Sequence, residues 1–268
     1  MIEVIRRATA PHAKAALFDF DGTLSLIRTG WMGVMVPMMV EILAELGTGE
    51  TEEELRQTVE DFVWRLTGLE TLYQMMELAE QVKRRGGVPL DPLIYKRRYL
   101  DRLSAVIGGR VEALRKGTCP PDAFIVPGAR ALLEALRERG LRLYLASGTD
   151  EIYMKEEAAL LGLADYFDGG IFGALDDIHA FSKRMIVERI LALPDVEGGH
   201  LIGFGDGYVE IEEVKKAGGV AVGVATDEPE CRVPDAWKRQ RLIGVGADYV
   251  IPNYLEWPQL AAHLGIGA

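Results

Sequence analysis

Two patterns of hydrophobic and polar residues alternate along the second half of the chain. Short apolar runs, often β-branched, are typical of buried strands: LRLYLA, GGIFGA, HLIGFG, VAVGVA and ADYVI. Between them lie segments with helical periodicity: GARALLEALRERG, DEIYMKEEAALLG, SKRMIVERILAL and YVEIEEVKKAGG. Strands and helices in alternation predict a parallel sheet that is covered on both faces. The apolar run AALFDF, far upstream, fits as the first strand of that sheet.

Residues 26–118 have a different pattern, in which apolar residues recur at helical spacing and no strand-like run intervenes. Four segments show it: VPMMVEILAELG, EEELRQTVEDFVWRL, TLYQMMELAEQVKRRGG and DPLIYKRRYLDRLSAVIGGRVEALRKG. The Pro- and Gly-rich stretch KGTCPPDAFIVPG is typical of a linker back to the sheet. We therefore predict an α/β fold with a Rossmann-like parallel-sheet core formed by residues 1–25 and 119–268. An all-helical domain, residues 26–118, is inserted into this core.

The composition of the chain limits the kinds of partner that it can bind. Its 30 basic and 41 acidic residues give a net charge of −11, which argues against nucleic acid because binding to a phosphate backbone requires a basic face. Cys119 and Cys231 lack CxxC spacing, so we expect reduced thiols and no structural zinc site. We see no apolar stretch that could span a bilayer and no signal-peptide core, and we therefore expect a cytoplasmic protein without membrane contact.

The stretch AALFDFDGTLS places Asp19 and Asp21 at the end of an apolar run. Taken alone, it fits two structures equally well. One is a β-hairpin with an Asp-Gly turn. The other is a buried strand with both carboxylates on one side, since residues i and i+2 of a strand share a face. Such a pair requires a cation between the carboxylates or a proton on one of them. No return strand follows, which favours the second structure.

Three later strand ends also carry polar residues. Ser147 and Gly148 follow LRLYLA, and a hydroxyl, a glycine and free N–H groups at a helix start form an anion site. Lys183 follows GGIFGA at the start of a helix, while Asp206 and Glu210 follow HLIGFG. Helix capping or solvation would explain each of them separately. Capping does not explain why four strands are followed in turn by an acid pair, a hydroxyl, a lysine and another acid. All four sets lie at the carboxyl edge of the predicted sheet, where open α/β sheets bind ligands.

Together these motifs resemble the haloacid dehalogenase-like superfamily of phosphotransferases, in particular members like phosphoglycolate phosphatase and β-phosphoglucomutase. DFDGT is similar to the DxDGT loop, YLASGT to the strand that ends in Ser or Thr, and GFGDGYVE to the GDxxxD strand. The likeness extends from the first strand to ADYVI, and the insertion looks like the helical cap domain of the family. Dehalogenating and phosphonate-cleaving members lack the second Asp, so Asp21 argues for phosphoryl transfer.

The resemblance implies a Mg²⁺-dependent reaction on a small phosphorylated metabolite. Asp19 would be the nucleophile that forms an aspartyl-phosphate, and Asp21 the general acid and base. Asp19, the backbone carbonyl of Asp21, and Asp206 would bind the metal. Backbone and side-chain groups of five residues would hold the phosphoryl oxygens: Gly22, Thr23, Ser147, Gly148 and Lys183.

The chain also departs from the family pattern. Glu210 stands where the last motif has Asp, which keeps the charge but lengthens the side chain. Glu210 could bind the metal directly or contact a residue that binds it. Arg184 follows Lys183 in place of the proline often found there, so Lys155 or Arg184 could take the role of the motif lysine. The cap and its hinge contain basic residues that we expect to be mostly solvated: Arg28, Lys83, Arg84, Arg85, Lys96, Arg97 and Arg98.

These features predict a phosphatase acting on small molecules. The motifs weakly favour a sugar phosphate and leave phosphoglycolate and nucleotide monophosphates open. A phosphomutase would use the same aspartyl-phosphate and return it to a sugar. A catalytically silent binding protein on this scaffold is the alternative from another class, although such a protein would not need to retain a repulsive pair of carboxylates. The oligomeric state is not readable from the sequence.

Overall fold

The computed structural model describes residues 1–266. These residues form one seven-stranded sheet and ten α-helices. The strands are β1 (Glu3–Val4), β2 (Ala15–Phe18), β3 (Arg142–Asp150), β4 (Gly170–Ala174), β5 (Leu201–Gly205), β6 (Val220–Val224) and β7 (Tyr249–Ile251). The helices are α1 (Met32–Ala44), α2 (Glu52–Leu66), α3 (Thr71–Arg84), α4 (Pro92–Arg115), α5 (Ala129–Glu138), α6 (Glu151–Leu160), α7 (Lys183–Leu191), α8 (Tyr208–Lys216), α9 (Ala236–Gly244) and α10 (Trp257–Leu264).

The predicted fold class is confirmed. The strand order is β1-β7-β6-β5-β2-β3-β4, and every pairing is parallel except that of β1 with β7. The sequence did not predict β1, α9 or α10. β1 has only two residues, and α9 buries only Leu242, so neither produces a hydrophobic pattern that can be recognised in the sequence. Within the described residues, no helix combines the length and apolar character needed to cross a membrane.

Strand β2 lies inside the sheet, between β5 and β3. All four of its residues are buried, which explains why the run is apolar throughout rather than alternating. Phe18 pairs in register with Phe204 of β5 and Leu145 of β3, and the rings of Phe18 and Phe204 stack at 4.5 Å. Because the three strands run in parallel, their carboxyl ends lie side by side, and the residues after each strand converge there.

Helices α1 to α4 form the insertion between β2 and the rest of the sheet. Thr51 starts α2 with a capping box, in which its hydroxyl accepts from Glu54 N–H at 3.3 Å and the Glu54 carboxylate accepts from Thr51 N–H at 2.8 Å. Met38 and Met39 of α1 are completely buried in the same hydrophobic cluster as Phe18 of the sheet. The insertion therefore packs directly on the core, and the domain boundaries at residues 25/26 and 118/119 stay a prediction.

Candidate active site

Three charged side chains meet at the carboxyl end of β2. Asp19 follows the strand, Lys183 begins α7, and Glu210 lies in the first turn of α8. All three are buried, and Lys183 Nζ lies 2.9 Å from Asp19 Oδ2 and 2.6 Å from Glu210 Oε2. Burial raises the pKa of Asp19 well above its usual value, against the opposing effect of Lys183. Burial would lower the pKa of Lys183, but the two carboxylates outweigh it and raise that pKa, so the ammonium stays charged.

Asp21 lies at the edge of the same site. Its Oδ2 accepts a hydrogen bond from the Thr149 hydroxyl at 2.6 Å, and Arg28 Nε lies 3.9 Å from its Oδ1. Burial raises the pKa of Asp21, although Arg28 and the Thr149 hydroxyl both favour the ionised form. A carboxyl group with a raised pKa holds its proton closer to neutral pH, which suits a general acid.

Arg28 comes from the segment between β2 and α1 and is 7% exposed. Its Nε lies 3.1 Å from both carboxylate oxygens of Glu157 on α6, and its Nη2 lies 2.7 Å from Oε1. Burial raises the pKa of Glu157 to about 7, with Arg28 acting in the opposite direction. The ion pair joins the segment that leads into the helical insertion to the sheet core, and it partly neutralises the charge that Arg28 presents to Asp21.

The loop after β2 is held by its own hydrogen bonds. Gly22 N–H donates to the Ser25 carbonyl at 2.9 Å, and the Thr23 hydroxyl accepts from Asp206 N–H at 3.0 Å. Neither Gly22 nor Thr23 lines the pocket, so the geometry gives no support to the phosphate contact predicted for them. The two residues instead shape the loop and fix the backbone at Asp206.

The other predicted phosphate-binding groups do line the pocket. Ser147 is buried in the second half of β3, which continues to Asp150 and does not end at Ala146 as the sequence predicts. Its hydroxyl accepts from Thr149 N–H at 3.1 Å. Gly148 faces a loop of the helical insertion, because a Cβ at this position would lie 2.6 Å from the carbonyl oxygen of Leu69. The absence of a side chain at Gly148 thus helps the insertion to approach the strand ends. With Lys183, these residues form the wall of one pocket around Asp19.

The donor set fits a hard divalent cation such as Mg²⁺. One carboxylate oxygen from each of Asp19, Asp206 and Glu210 lies within 4.8 Å of the others. Oδ1 of Asp19 and Oδ1 of Asp21 are buried and have no hydrogen-bond partner within residues 1–266, and a bound cation would satisfy such oxygens. Both Glu210 oxygens are engaged, by Lys183 and by Gly207 N–H at 2.7 Å. Asp19 and Asp206 are therefore better placed as direct ligands than Glu210.

The structure separates the three candidates for the motif lysine. Lys183 reaches Asp19, whereas Lys155 is exposed and pairs with Glu151, and Arg184 is exposed and pairs with Glu188. Among the basic residues of the insertion, four are solvated as predicted: Lys83, Arg84, Arg97 and Arg98. The exceptions are Arg85, which is partly buried and pairs with Glu50 at 2.7 Å, and Lys96 and Arg28, which are both buried. Lys96 is held by two carboxylates, and its Nζ lies 2.6 Å from Asp150 and 3.0 Å from Asp176.

Sequence reasoning missed several side chains at this site. The position of Thr149 before a helix suggests no more than a helix cap, yet its hydroxyl binds Asp21. Lys238 on α9 lies 2.9 Å from Asp206 Oδ2 and 2.7 Å from Glu228 Oε1. No motif marks Lys238 or Glu228, because both belong to a stretch to which the hydrophobic pattern assigns no element.

A model of the haloacid dehalogenase-like hydrolase family matches residues 13–218 of the chain. The match includes every predicted site residue from Asp19 to Glu210 and ends before α9. A search of the curated proteins finds no match.

Several solved structures share the fold at low sequence identity. A predicted phosphatase from Clostridium acetobutylicum is 17% identical, with a TM-score of 0.60 over 94% of this chain and 99% of its own. CbbY from Rhodobacter sphaeroides, solved with phosphate, is 18% identical, with a TM-score of 0.56 over 91% of this chain and 96% of its own. CbbY has also been solved with xylulose-(1,5)bisphosphate. A family hydrolase from Deinococcus radiodurans with bound phosphate and sodium is 18% identical, with a TM-score of 0.52 over 97% of this chain and 100% of its own.

Proposed function

Because the chain belongs to the haloacid dehalogenase-like hydrolases, we propose that it hydrolyses a small phosphate monoester, with a sugar phosphate as the favoured substrate. The observation that carries the proposal is the way in which the Asp19 carboxylate is buried and held. Its carboxylate is buried at a pocket wall, one oxygen is held 2.9 Å from Lys183 Nζ, and the other has no hydrogen-bond partner within residues 1–266. A carboxylate fixed in this way is oriented for attack on an electrophile in the pocket.

The reaction would proceed in two steps. A carboxylate oxygen of Asp19 forms a bond to phosphorus while the ester P–O bond breaks, and Asp21 gives its proton to the leaving oxygen. Asp21, now ionised, then accepts a proton from water, whose oxygen attacks phosphorus and releases phosphate from Asp19. Mg²⁺ held by Asp19, Asp206 and the Asp21 carbonyl would neutralise charge at the phosphoryl group. Lys183 and Ser147 would stabilise the same oxygens.

The part of the pocket wall that comes from the helical insertion supports an uncharged, polar leaving group. It includes Trp31, Gln74 and Tyr99. On the same helices, Gln81 bonds Glu77 and Arg85, and Tyr95 accepts from Leu90 N–H. The amide of Gln74 and the hydroxyl of Tyr99 have no such partner in the described residues, which leaves them able to bind the hydroxyls of a sugar.

The charges on this part of the pocket wall also favour an uncharged leaving group. Arg28 is the cationic residue there, and its guanidinium is already paired with Glu157. A second anionic group on the substrate, such as the carboxylate of phosphoglycolate, would therefore have to compete with Glu157. The bisphosphate bound by CbbY is consistent with a sugar as the leaving group here, although its second phosphate would meet the same competition from Glu157.

A phosphomutase is the second candidate. The contact between Leu69 and Gly148 brings the helical insertion onto the strand ends, and a cap held closed keeps water from the aspartyl-phosphate. Product analysis with a hexose 1-phosphate separates the two activities, since a mutase yields a hexose 6-phosphate and a phosphatase yields free phosphate.

The test is phosphate release from a panel of phosphorylated sugars, acids and nucleotides, with Mg²⁺ and with EDTA. Asp19→Asn is compared with Asp101→Asn, a substitution at an exposed position of α4. We expect release from a sugar phosphate that EDTA and Asp19→Asn abolish and Asp101→Asn leaves unchanged. Mg²⁺-dependent turnover by Asp19→Asn would exclude Asp19 as the nucleophile. Absence of release and of Mg²⁺ binding by the folded wild-type protein would favour a silent binding protein.

A further inference from the structure

Four side chains form a continuous chain of polar contacts from Asp206 to the segment that leads into α1. Asp206 Oδ2 lies 2.9 Å from Lys238 Nζ, and that ammonium lies 2.7 Å from Glu228 Oε1. The second oxygen of Glu228 accepts a hydrogen bond from the Thr29 hydroxyl at 2.7 Å. Lys238 and Glu228 lie beyond the last residue that the family model matches. We propose that Lys238 is a positioning residue for the metal ligand Asp206, and that Glu228 fixes Lys238 to Thr29.

The backbone around this chain of contacts is built to hold it. A Cβ at Gly22 would lie 2.3 Å from Asp206 Oδ2 and 2.9 Å from Glu228 Oε1, so the glycine makes room for both carboxylates. Gly22 also has a φ of 70°, in the left-handed region that favours glycine. The close approach of two acids beside Asp19 and Asp21 requires a nearby cation, and Lys238 supplies it.

The loop that carries Glu228 is itself rigid. The Asp227 carboxylate accepts from Arg232 N–H at 2.6 Å and from Val233 N–H at 3.0 Å, and the Asn253 amide donates to the Cys231 carbonyl at 2.6 Å. Helix α9 starts at the N-cap Asp235, whose carboxylate accepts from Lys238 N–H at 2.8 Å. Both ends of the Lys238–Glu228 pair are therefore attached to fixed backbone.

The pair acts through geometry. The Lys238 ammonium pairs with Oδ2 of Asp206, which restricts rotation of the Asp206 carboxylate. Oδ1 of Asp206 is thereby directed away from the ammonium. Removing a hydrogen-bond partner of a metal ligand typically costs about 10- to 100-fold in metal affinity or activity.

The inference rests on the proposed function, because it concerns a metal ligand of that site. The test measures the dissociation constant of Mg²⁺ alone by isothermal titration calorimetry for the wild-type protein, Lys238→Met and Glu228→Gln. Methionine retains the apolar stem of Lys238 without its charge. Lys215→Met is the matched control, since Lys215 Nζ pairs with the buried Asp248 at 2.7 Å and lies outside the pocket.

We expect Lys238→Met to weaken Mg²⁺ binding by about 10-fold or more, Glu228→Gln to weaken it less but by more than about twofold, and Lys215→Met to leave it unchanged. Excess Mg²⁺ should restore most of the activity lost in Lys238→Met, which a general loss of structure would not allow. Affinity within twofold of wild type in folded Lys238→Met would overturn the inference, and tighter binding would show that Lys238 competes with the metal. If Lys238→Met does not fold, Glu228→Gln decides by the same criterion.

These outcomes separate the inference from the function on which it rests. A wild-type protein that binds Mg²⁺, with variants that bind it equally well, contradicts only the role of Lys238. A wild-type protein that binds no Mg²⁺ contradicts the metal site itself, and the positioning role is overturned with it.

Discussion

At the scale of single residues, the site is organised around one buried ammonium. Lys183 lies between Asp19 and Glu210 and is 3% exposed. Glu210 is not free to turn, because its other oxygen accepts from Gly207 N–H at the start of α8. Lys183 is therefore aimed at Asp19 by a neighbour that is itself fixed. Glu210, which stands where the motif has Asp, reaches Lys183 directly with its longer side chain.

This arrangement predicts unequal effects at the two lysines that the sequence left open. Lys183→Met should lower kcat/KM by about 10³-fold, because a fixed positive charge aimed at the developing phosphoryl charge is lost. Lys155→Met removes only an exposed pair with Glu151 and should change kcat/KM by less than about twofold. Steady-state phosphate release measures both values, and circular dichroism shows whether each variant is folded. Equal losses, or a greater loss for Lys155→Met, would assign the motif lysine to Lys155.

At the scale of elements, the strand ends could be predicted and the contacts between elements could not. Apolar runs and the polar residues that follow them are local in sequence, so the pattern alone identifies Asp19 after β2, Asp206 after β5 and Ser147 in the second half of β3. Glu157 gives no such signal, since its partner Arg28 is brought to it by the packing of α6 against the segment before α1. The sequence places Lys96 on the surface for the same reason. Its neighbours in sequence are solvated, and the carboxylates that bury it come from other elements.

The loop between α2 and α3 contacts β3 near its end, at Gly148. This contact predicts the effect of a substitution at Gly148. Gly148→Ala places a Cβ 2.6 Å from the Leu69 carbonyl oxygen, a backbone atom that cannot turn aside. The loop must move away from the pocket, and we expect kcat/KM to fall by about 10-fold or more, as misplacement of about 1 Å can cost 10²-fold. Gly109→Ala on α4 is the control, because its Cβ meets nothing within 4 Å. Wild-type kinetics in Gly148→Ala would show that this contact does not shape the pocket.

At the scale of the whole molecule, α9 fastens the helical insertion to the core. Arg241 donates from Nη1 to the Trp64 carbonyl, and from Nη2 to the carbonyls of Arg65 at 2.9 Å and Thr67 at 3.2 Å. These carbonyls end α2, where a cation complements the helix dipole. The Arg241 guanidinium also lies 5.0 Å from the Trp237 ring, whose centroid is 4.0 Å from that of Trp64. An element outside the family match thus holds the insertion over the active site.

Arg241→Gln should loosen the insertion without unfolding the core. Three helix-end carbonyls lose their shared donor, so the Trp64–Trp237 pair separates for part of the time, and we expect a smaller near-ultraviolet circular dichroism signal with unchanged helix content. KM should rise by about 10-fold, because substrate binding must then supply the free energy of a closure that the wild-type protein has already completed. The control is Arg137→Gln. The Arg137 guanidinium similarly donates to a backbone carbonyl, that of Asp165 at 3.0 Å, and lies over the Tyr166 ring, but both partners belong to the sheet core and not to the insertion. If Arg241→Gln keeps both the wild-type KM and the tryptophan signal, α9 is not needed to hold the insertion, and its other contacts with the core, among them the ion pairs of Lys96 with Asp150 and Asp176, are sufficient.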